Sequence, residues 1–507
     1  MKKLIGFTAL AMLIACSPSV KETQTYTIEQ FFDNISVFGG SFSADETRML
    51  VTSNQTGIYN VFALHSDGSG ELQLTLSEKE SRVAISFFPD DDRFLFSSDQ
   101  GGNEINHIYM QDQAGTITDL TPWEGAVSQF ASWAYDLESF YITSNKRDPR
   151  FFDLYKVEIE TLEPTLIYEN NEGLDPSLVS TTGRYLVLTR PITTSNNEMY
   201  LLDFETGKLN HISEHEGDAT YSPADFSLED DILYLLTNEG GEYTYLSAYH
   251  LETGEREVKY QTDWDVMYSY FSFHYKYQVI GINEDAKTVV KVFDVESGAE
   301  VDMPEFEGGD ISSVSFSRSE EKIRLSAGSS TSPGDIYVYN FDKRELIQLT
   351  STLNPEINEE DLVAGEVIRY PSFDGLEIPA ILYKPHGASG KNKVPALLWI
   401  HGGPGGQTRI GFSSLIQYYV NHGYAILAVN NRGSSGYGKT FYNLDNQRHG
   451  EDDLMDCVKA KEYLKDLRYV DMEKVGIMGG SYGGYMVMAA LAFQPEEFTV
   501  GVNIFGV

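Results

Sequence analysis

The chain has 507 residues, 41% hydrophobic and 22% charged, a composition that belongs to globular proteins and excludes wholesale disorder. Its 76 acidic residues against 37 basic ones leave a net charge of −39; such a surface repels phosphate backbones and excludes nucleic acid as a partner. The length exceeds one ordinary core, so two or three domains are expected, and 32 tyrosines with 28 phenylalanines favour β-rich architecture.

The first sixteen residues read as an export signal. Lys2 and Lys3 precede an apolar stretch, 4–15, that is too short to span a bilayer. Leu13-Ile14-Ala15-Cys16 resembles the bacterial lipobox. That resemblance implies cleavage before Cys16, lipidation of the cysteine and membrane anchoring in the cell envelope. Ser17 after the cysteine resembles an outer-membrane sorting signal, so a periplasmic or outer-membrane location is expected. An ordinary signal peptide that happens to contain a cysteine is the plainer alternative. With Cys16 lipidated, Cys457 has no partner for an intrachain disulfide, and it reads as a small buried hydrophobe in a helix.

A repeat fills residues 27–350. Ser41-Phe42-Ser43-Ala44-Asp45 is followed by an apolar run, as is Ser86-Phe87-Phe88-Pro89-Asp90, and further units begin at 132, 178, 225, 271 and 315. The intervals run from 44 to 47 residues. A unit of that length, with turns such as Glu205-Thr206-Gly207, holds four short strands and matches a propeller blade. About seven blades are expected, against a plain β-sandwich with accidental spacing as the alternative. A propeller alone implies no chemistry.

From about residue 355 to 507 the pattern becomes α/β. Strands are expected at 376–383, 394–400, 424–430 and 475–478, helices at 452–467 and 485–493, and a buried strand at 498–507. Alternation of this kind indicates a mostly parallel sheet covered on both faces. Gly479-Gly480-Ser481-Tyr482-Gly483-Gly484 follows an apolar strand and opens a helix, the context that a Gly-x-Ser-x-Gly nucleophile elbow requires. Ser481 is the candidate nucleophile. The N–H of Tyr482, at a helix N-terminus, is the candidate oxyanion donor. Gly402 and Gly403, in Trp399-Ile400-His401-Gly402-Gly403-Pro404-Gly405-Gly406, supply the other side of that hole, and His401 reads as structural. Asn430-Asn431-Arg432-Gly433-Ser434-Ser435-Gly436-Tyr437-Gly438 reads as a loop that shapes the rim. No metal, cofactor or phosphate-loop motif is present, so none is expected.

The His-Gly-Gly-Pro stretch, the Asn431-Arg432-Gly433-Ser434 loop and the elbow together resemble the prolyl oligopeptidase family of serine peptidases, nearer its acylaminoacyl-peptidase and dipeptidyl-aminopeptidase branches. The order of a propeller and then an α/β-hydrolase domain matches as well. The resemblance implies hydrolysis of short peptides through an acyl-enzyme on Ser481, with the propeller as a sieve. In relatives that take dipeptides, acidic propeller residues hold the substrate amine; Glu229, Glu239 and Glu242 are candidates here.

The triad departs from the pattern. An α/β-hydrolase places its acid and histidine after the serine, yet no histidine and no aspartate follows Ser481. A serine hydroxyl without a base is a poor nucleophile. The chain is therefore expected to be a fragment lacking the triad Asp and His, inactive or nearly so as it stands. The alternatives are an esterase-type acyl hydrolase on the same fold and a non-catalytic propeller lipoprotein.

Overall fold

The computed structural model describes residues 23–306 and 309–507. The expected export signal and Cys16 lie outside the described residues. Seven sheets form the blades of a propeller. Their inner strands are Val37–Phe42, Val83–Phe87, Ser128–Trp133, Asp175–Val179, Tyr221–Phe226, Asp265–Phe271 and Asp310–Phe316. The repeat points noticed in the sequence fall at the ends of these strands, just before the turn to the second one. Second strands such as Arg48–Ser53 and Ile232–Thr237 are buried along nearly their whole length. Each lies sandwiched between neighbouring blades, which is why they read as continuous apolar runs rather than alternating ones.

Six sheets have four strands, and the blade that begins at Asp265 has three. Its fourth position carries only the isolated bridge Phe293–Glu300 and a bond from Val301 N–H to the Val292 carbonyl at 2.8 Å. Pro304, which has no N–H to give a ladder, follows directly. Every blade uses consecutive strands, so among the described residues no strand is exchanged where the ring closes. Closure rests on apolar packing of Met49, Val51, Phe62 and Leu64 against Ile336 and Val338. Lys322 adds a bond from Nζ to the Glu46 carbonyl at 2.8 Å.

The second half is a six-stranded sheet. Its order is Glu366–Pro371, Glu377–Tyr383, Ala425–Val429, Val394–Ile400, Val470–Gly480, Val500–Ile504. The last four strands are parallel and the first two antiparallel. Helix Ser414–Asn421 covers one face, burying Ile416 and Val420 against Ile381, Ile426 and Ala428. Helices Asp452–Leu464 and Tyr482–Phe493 cover the other, where Cys457 is fully buried. The expected buried strand at 498–507 is shorter and lies at the sheet edge: Val500 and Val502 are exposed, because no helix packs over them.

The two halves share a polar seam. Ile410 N–H bonds the Ala286 carbonyl at 2.8 Å, and Asn283 Nδ2 bonds Gln407 Oε1 at 2.8 Å. Arg369 pairs with Asp285 at 2.8 Å. The sequence pattern starts the propeller at residue 27, and the structure packs Tyr26 and Phe31 with Ile357 and Leu362 on the hydrolase side. Tyr26 hydroxyl also donates to Asp361 at 2.8 Å.

One acid stitches two blades. Asp225 accepts the N–H of Phe271, on the next blade, at 2.8 Å and that of Phe226 at 2.8 Å. Burial pushes its pKa up to about 6, against the pull of those two amides. The folded chain thus takes up a proton that the unfolded chain does not hold between about pH 4 and 6, so stability falls as pH rises through that window. The loss amounts to up to about 3 kcal/mol. Urea unfolding of the propeller at pH 4.5 and pH 7 should show that slope in the parent protein and a flatter one in Asp225→Asn; equal slopes would exclude the assignment.

Candidate active site

Val470–Gly480, between Val394–Ile400 and the edge strand Val500–Ile504, turns at a single residue and continues as helix Tyr482–Phe493. The residue at the turn is Ser481, with φ 54° and ψ −121°. A non-glycine residue there carries backbone strain, held in place by its surroundings. Ser481 N–H bonds the Ile504 carbonyl at 3.1 Å and its own carbonyl accepts Tyr485 N–H at 3.1 Å. The Ser481 side chain is exposed.

The glycines around it leave no alternative residue. A Cβ on Gly483 would stand 2.2 Å from the Ile400 carbonyl oxygen, and one on Gly479 would stand 2.5 Å from the Gly483 carbonyl oxygen. Backbone meets backbone at both places, so neither neighbour can yield. Gly484 is closed in the same way by Asn503 and Gly506, each 2.6 Å from an added Cβ. Gly480 is looser, with its nearest neighbour at 3.6 Å. The helix starts at Tyr482, three residues earlier than the pattern suggested. The glycine pair that obscured it is the pair that lets the helix begin against Ile400.

Gly402 lies beside the nucleophile: a Cβ there would be 3.4 Å from Ser481 Cβ and 3.9 Å from Ser481 Oγ. The structure therefore brings Ser481, Tyr482 and Gly402 together. Gly403, at φ 132°, instead folds onto Gly405 and Gly406, whose backbone nitrogens would meet its Cβ at 2.6 and 2.4 Å. The amide end of the Tyr482 helix points at Ser481, and such a terminus favours negative charge. A tetrahedral oxyanion formed on Ser481 has that donor at hand.

His401 carries no proton to Ser481. Its Nδ1 lies 2.8 Å from the Gly402 carbonyl and its Nε2 lies 2.8 Å from Ser434 Oγ, which in turn donates to the Asn431 carbonyl at 2.6 Å. Burial holds its pKa below the ordinary histidine value. It ties the His-Gly-Gly-Pro loop to the Asn-Arg-Gly-Ser loop. Among the described residues, no imidazole bonds Ser481 Oγ. His449 sits edge-on to the Tyr482 ring at 5.4 Å and lies 3.4 Å from Asp445. The Tyr482 ring itself points away from the nucleophile into the core, and its hydroxyl donates to Asp453 at 2.5 Å.

Arg432 is more than rim. Its side chain is 4% exposed. The guanidinium grips Asp456 with Nε and Nη2 at 2.9 Å each and Asp374 with Nη1 and Nη2 at 3.0 and 3.1 Å. Asp456 also accepts Arg432 N–H at 2.9 Å and Ser372 hydroxyl at 2.5 Å. Burial works against the Arg432 charge, but the hydrogen bonds from the two carboxylates outweigh it and raise its pKa further. A signal existed in the sequence: Asp452 and Asp456 are four apart on one helix, offering acids to one cation. Of the acidic propeller candidates, Glu239 pairs with Arg256 at 2.5 Å and Glu242 accepts Thr440 N–H and hydroxyl at 2.6 and 2.8 Å, so both are engaged within the protein. Glu229 lies exposed in the turn between two strands.

Comparison with known proteins gives two family matches. Residues 75–352 match the prolyl oligopeptidase N-terminal beta-propeller domain, and residues 410–507 match the prolyl oligopeptidase family. Dipeptidyl aminopeptidase BIII of Pseudoxanthomonas mexicana is 25% identical over 522 residues, which span 99% of this chain and 75% of that protein. Dipeptidyl peptidase family member 6 of Caenorhabditis elegans is 24% identical over 507 residues, 90% of this chain and 67% of that protein. Among solved structures, a prolyl endopeptidase superposes with a TM-score of 0.76 at 19% identity, over 94% of this chain and 73% of its own. A puromycin-hydrolyzing peptidase of Mycobacterium tuberculosis gives 0.77 at 14% identity, over 96% and 80%. At those identities the superpositions speak for the fold.

Two outcomes follow from the geometry. Gly483→Ala cannot be seated without moving the Ile400 carbonyl, so it should abolish reaction of Ser481 with a fluorophosphonate while far-ultraviolet circular dichroism keeps its β signal; unaltered labelling would refute the close approach. Asp456→Ala leaves Arg432 with the half-exposed Asp374 and with Asp452 at 4.0 Å, and should cost about 3–5 kcal/mol in the hydrolase transition. Arg432→Met with Asp456→Leu should recover much of that loss in denaturant titrations.

Proposed function

This chain belongs to the prolyl oligopeptidase family and is a serine peptidase of that family, and from that premise we propose that Ser481 attacks the carbonyl of a short peptide and carries the acyl group. The observation that supports this reading is the Ser481 backbone at φ 54° on a strand-turn-helix, with an exposed side chain and Gly402 beside its hydroxyl. Oγ adds to the scissile carbonyl. The Tyr482 N–H and the backbone of the Gly402 loop receive the oxyanion, and collapse expels the amine and leaves an ester on Ser481. Water then releases the acid.

The reaction needs a base for the serine proton and a carboxylate to orient that base, and the described histidines do not supply them. All ten precede Ser481 in the sequence, and His401 is engaged at both nitrogens. Among the described residues no imidazole is placed to take that proton, so the proposal rests on the nucleophile and its oxyanion donors. The curated relatives that align along nearly all of this chain are dipeptidyl peptidases by name, which favours amide over ester substrates. The propeller, packed against the hydrolase half along the Ala286–Ile410 seam, supports a role in limiting access to short or unstructured peptides. The lipobox-like Leu13-Ile14-Ala15-Cys16 supports an exported protein tethered to the bacterial envelope.

Peptide hydrolysis by the protein as its gene encodes it should produce new amino termini from a peptide library. Ser481→Ala should lower kcat by a factor on the order of 10³ or more. With no described imidazole at Ser481 Oγ, turnover by these residues should be slow, because a serine without a base loses most of its nucleophilicity. Equal turnover by the parent protein and Ser481→Ala would overturn the assignment.

A further inference from the structure

Among the described residues, two arginines on the seam between propeller and hydrolase, Arg324 and Arg409, have no acidic partner. Arg324 stands on the strand Lys322–Gly328 of the last blade. Its Nε donates to Ser315 Oγ at 3.0 Å, Nη1 to Ser326 Oγ at 2.7 Å and Nη2 to Ser313 Oγ at 3.2 Å. It lines a cavity of about 820 Å³ whose walls come from the first and last blades and from Phe412 of the hydrolase half. Gly40, at φ 129°, makes room for it: a Cβ there would stand 2.2 Å from Arg324 Cδ. Arg409 sits seven residues after Gly402 in the loop that passes Ser481. Its Nη2 donates to Thr288 Oγ1 at 2.8 Å and its Nη1 faces Met267 Sδ at 3.2 Å.

In a chain with 76 acidic residues, most described arginines bond a carboxylate; these two bond hydroxyls and a thioether. Burial lowers the pKa of both, so each charge is held at a cost that its present neighbours do not offset. The Tyr268 hydroxyl lies in the field of both guanidiniums and is buried without a hydrogen-bond partner. Gln407 Nε2 and Thr408 Oγ1, the two residues before Arg409, are buried and unpartnered as well. The seam thus gathers two cations and several idle donors, and what it lacks is an acceptor carrying negative charge.

We propose that Arg324 and Arg409, with the Tyr268 hydroxyl, form a recognition site for a carboxylate of the peptide substrate. This rests on the peptidase reading and deepens it: Arg324 lines the cavity, Arg409 lies on the seam against Met267 and Thr288, and the pair selects peptides by an acidic group remote from the scissile bond. The carboxylate comes from the peptide C-terminus or from a Glu or Asp side chain. Both present the same planar pair of oxygens to a guanidinium fork.

Calorimetric titration of the Ser481→Ala protein tests this without any turnover. The ligands are hexaalanine as free acid, hexaalanine amide, and an amidated hexapeptide with one internal Glu. The free acid or the Glu peptide should bind at least about tenfold more tightly than hexaalanine amide, and the tighter of the two identifies the source of the carboxylate. Arg324→Gln and Arg409→Gln should each shrink that ratio towards one. If those variants do not fold, Arg324→Lys and Arg409→Lys keep the charge without the fork and should retain only part of the preference. Equal affinity for all three peptides, no detectable binding of any, or a preference untouched by the substitutions overturns the proposal. Should the parent protein still cleave peptides through Ser481 in that case, the peptidase reading stands and only the carboxylate site falls.

Discussion

The carbonyl of Ile400 touches the backbone of Gly483 so closely that no side chain could come between them. That contact joins the end of one central strand to the first turn of the helix that follows its neighbour. It leaves Ser481 no room for an ordinary conformation and sets its side chain out at the top of the sheet. It also fixes where the chain goes next after Ile400, so that Gly402 passes beside Ser481 and the loop beyond it reaches the propeller at Gln407 and Ile410. The strain at one residue is thus carried by a rigid parallel sheet on one side and by the interface between the halves on the other.

The distribution of charge follows the same division. The protein is strongly acidic, and its cations are few. Arg432 is placed in the core and matched by Asp456 and Asp374, where it braces the second loop of the site from beneath. His401 links that loop to the first through Ser434. Arg324 and Arg409 lie instead on the seam and face hydroxyls. Within an acidic shell, cations on this seam with no described acidic partner give a negatively charged peptide group a destination that the outer surface does not offer.

The blade period was legible because each blade repeats the same burden, an apolar second strand after a polar turn, and a period of 44–47 residues survives small changes in loop length. The three-stranded blade was not, since its missing strand replaces a ladder with a run containing Pro304 and leaves the spacing intact. The elbow was legible from Gly479 to Gly483 because backbone contact at 2.2–2.5 Å admits only glycine. The place of Gly403 was not: two adjacent glycines look alike in sequence, and only the turn at φ 132° sends one of them away from Ser481. The burial of Arg432 was not legible because its partners lie 58 and 24 positions away, and a glycine-rich loop ordinarily faces water. The packing of Phe31 against Ile357 and Leu362 was not legible, because a short helix next to a repeat gives no hint of which half it will cover.

The central claim is that Ser481 is a nucleophile that carries an acyl group. Intact-mass spectrometry after treatment of the encoded protein with a fluorophosphonate, followed by peptide mapping, tests it most directly. The account predicts a single adduct located on Ser481 and none on Ser481→Ala. An unmodified Ser481 under conditions that label a control serine hydrolase, or an adduct mapped to another residue, would contradict it.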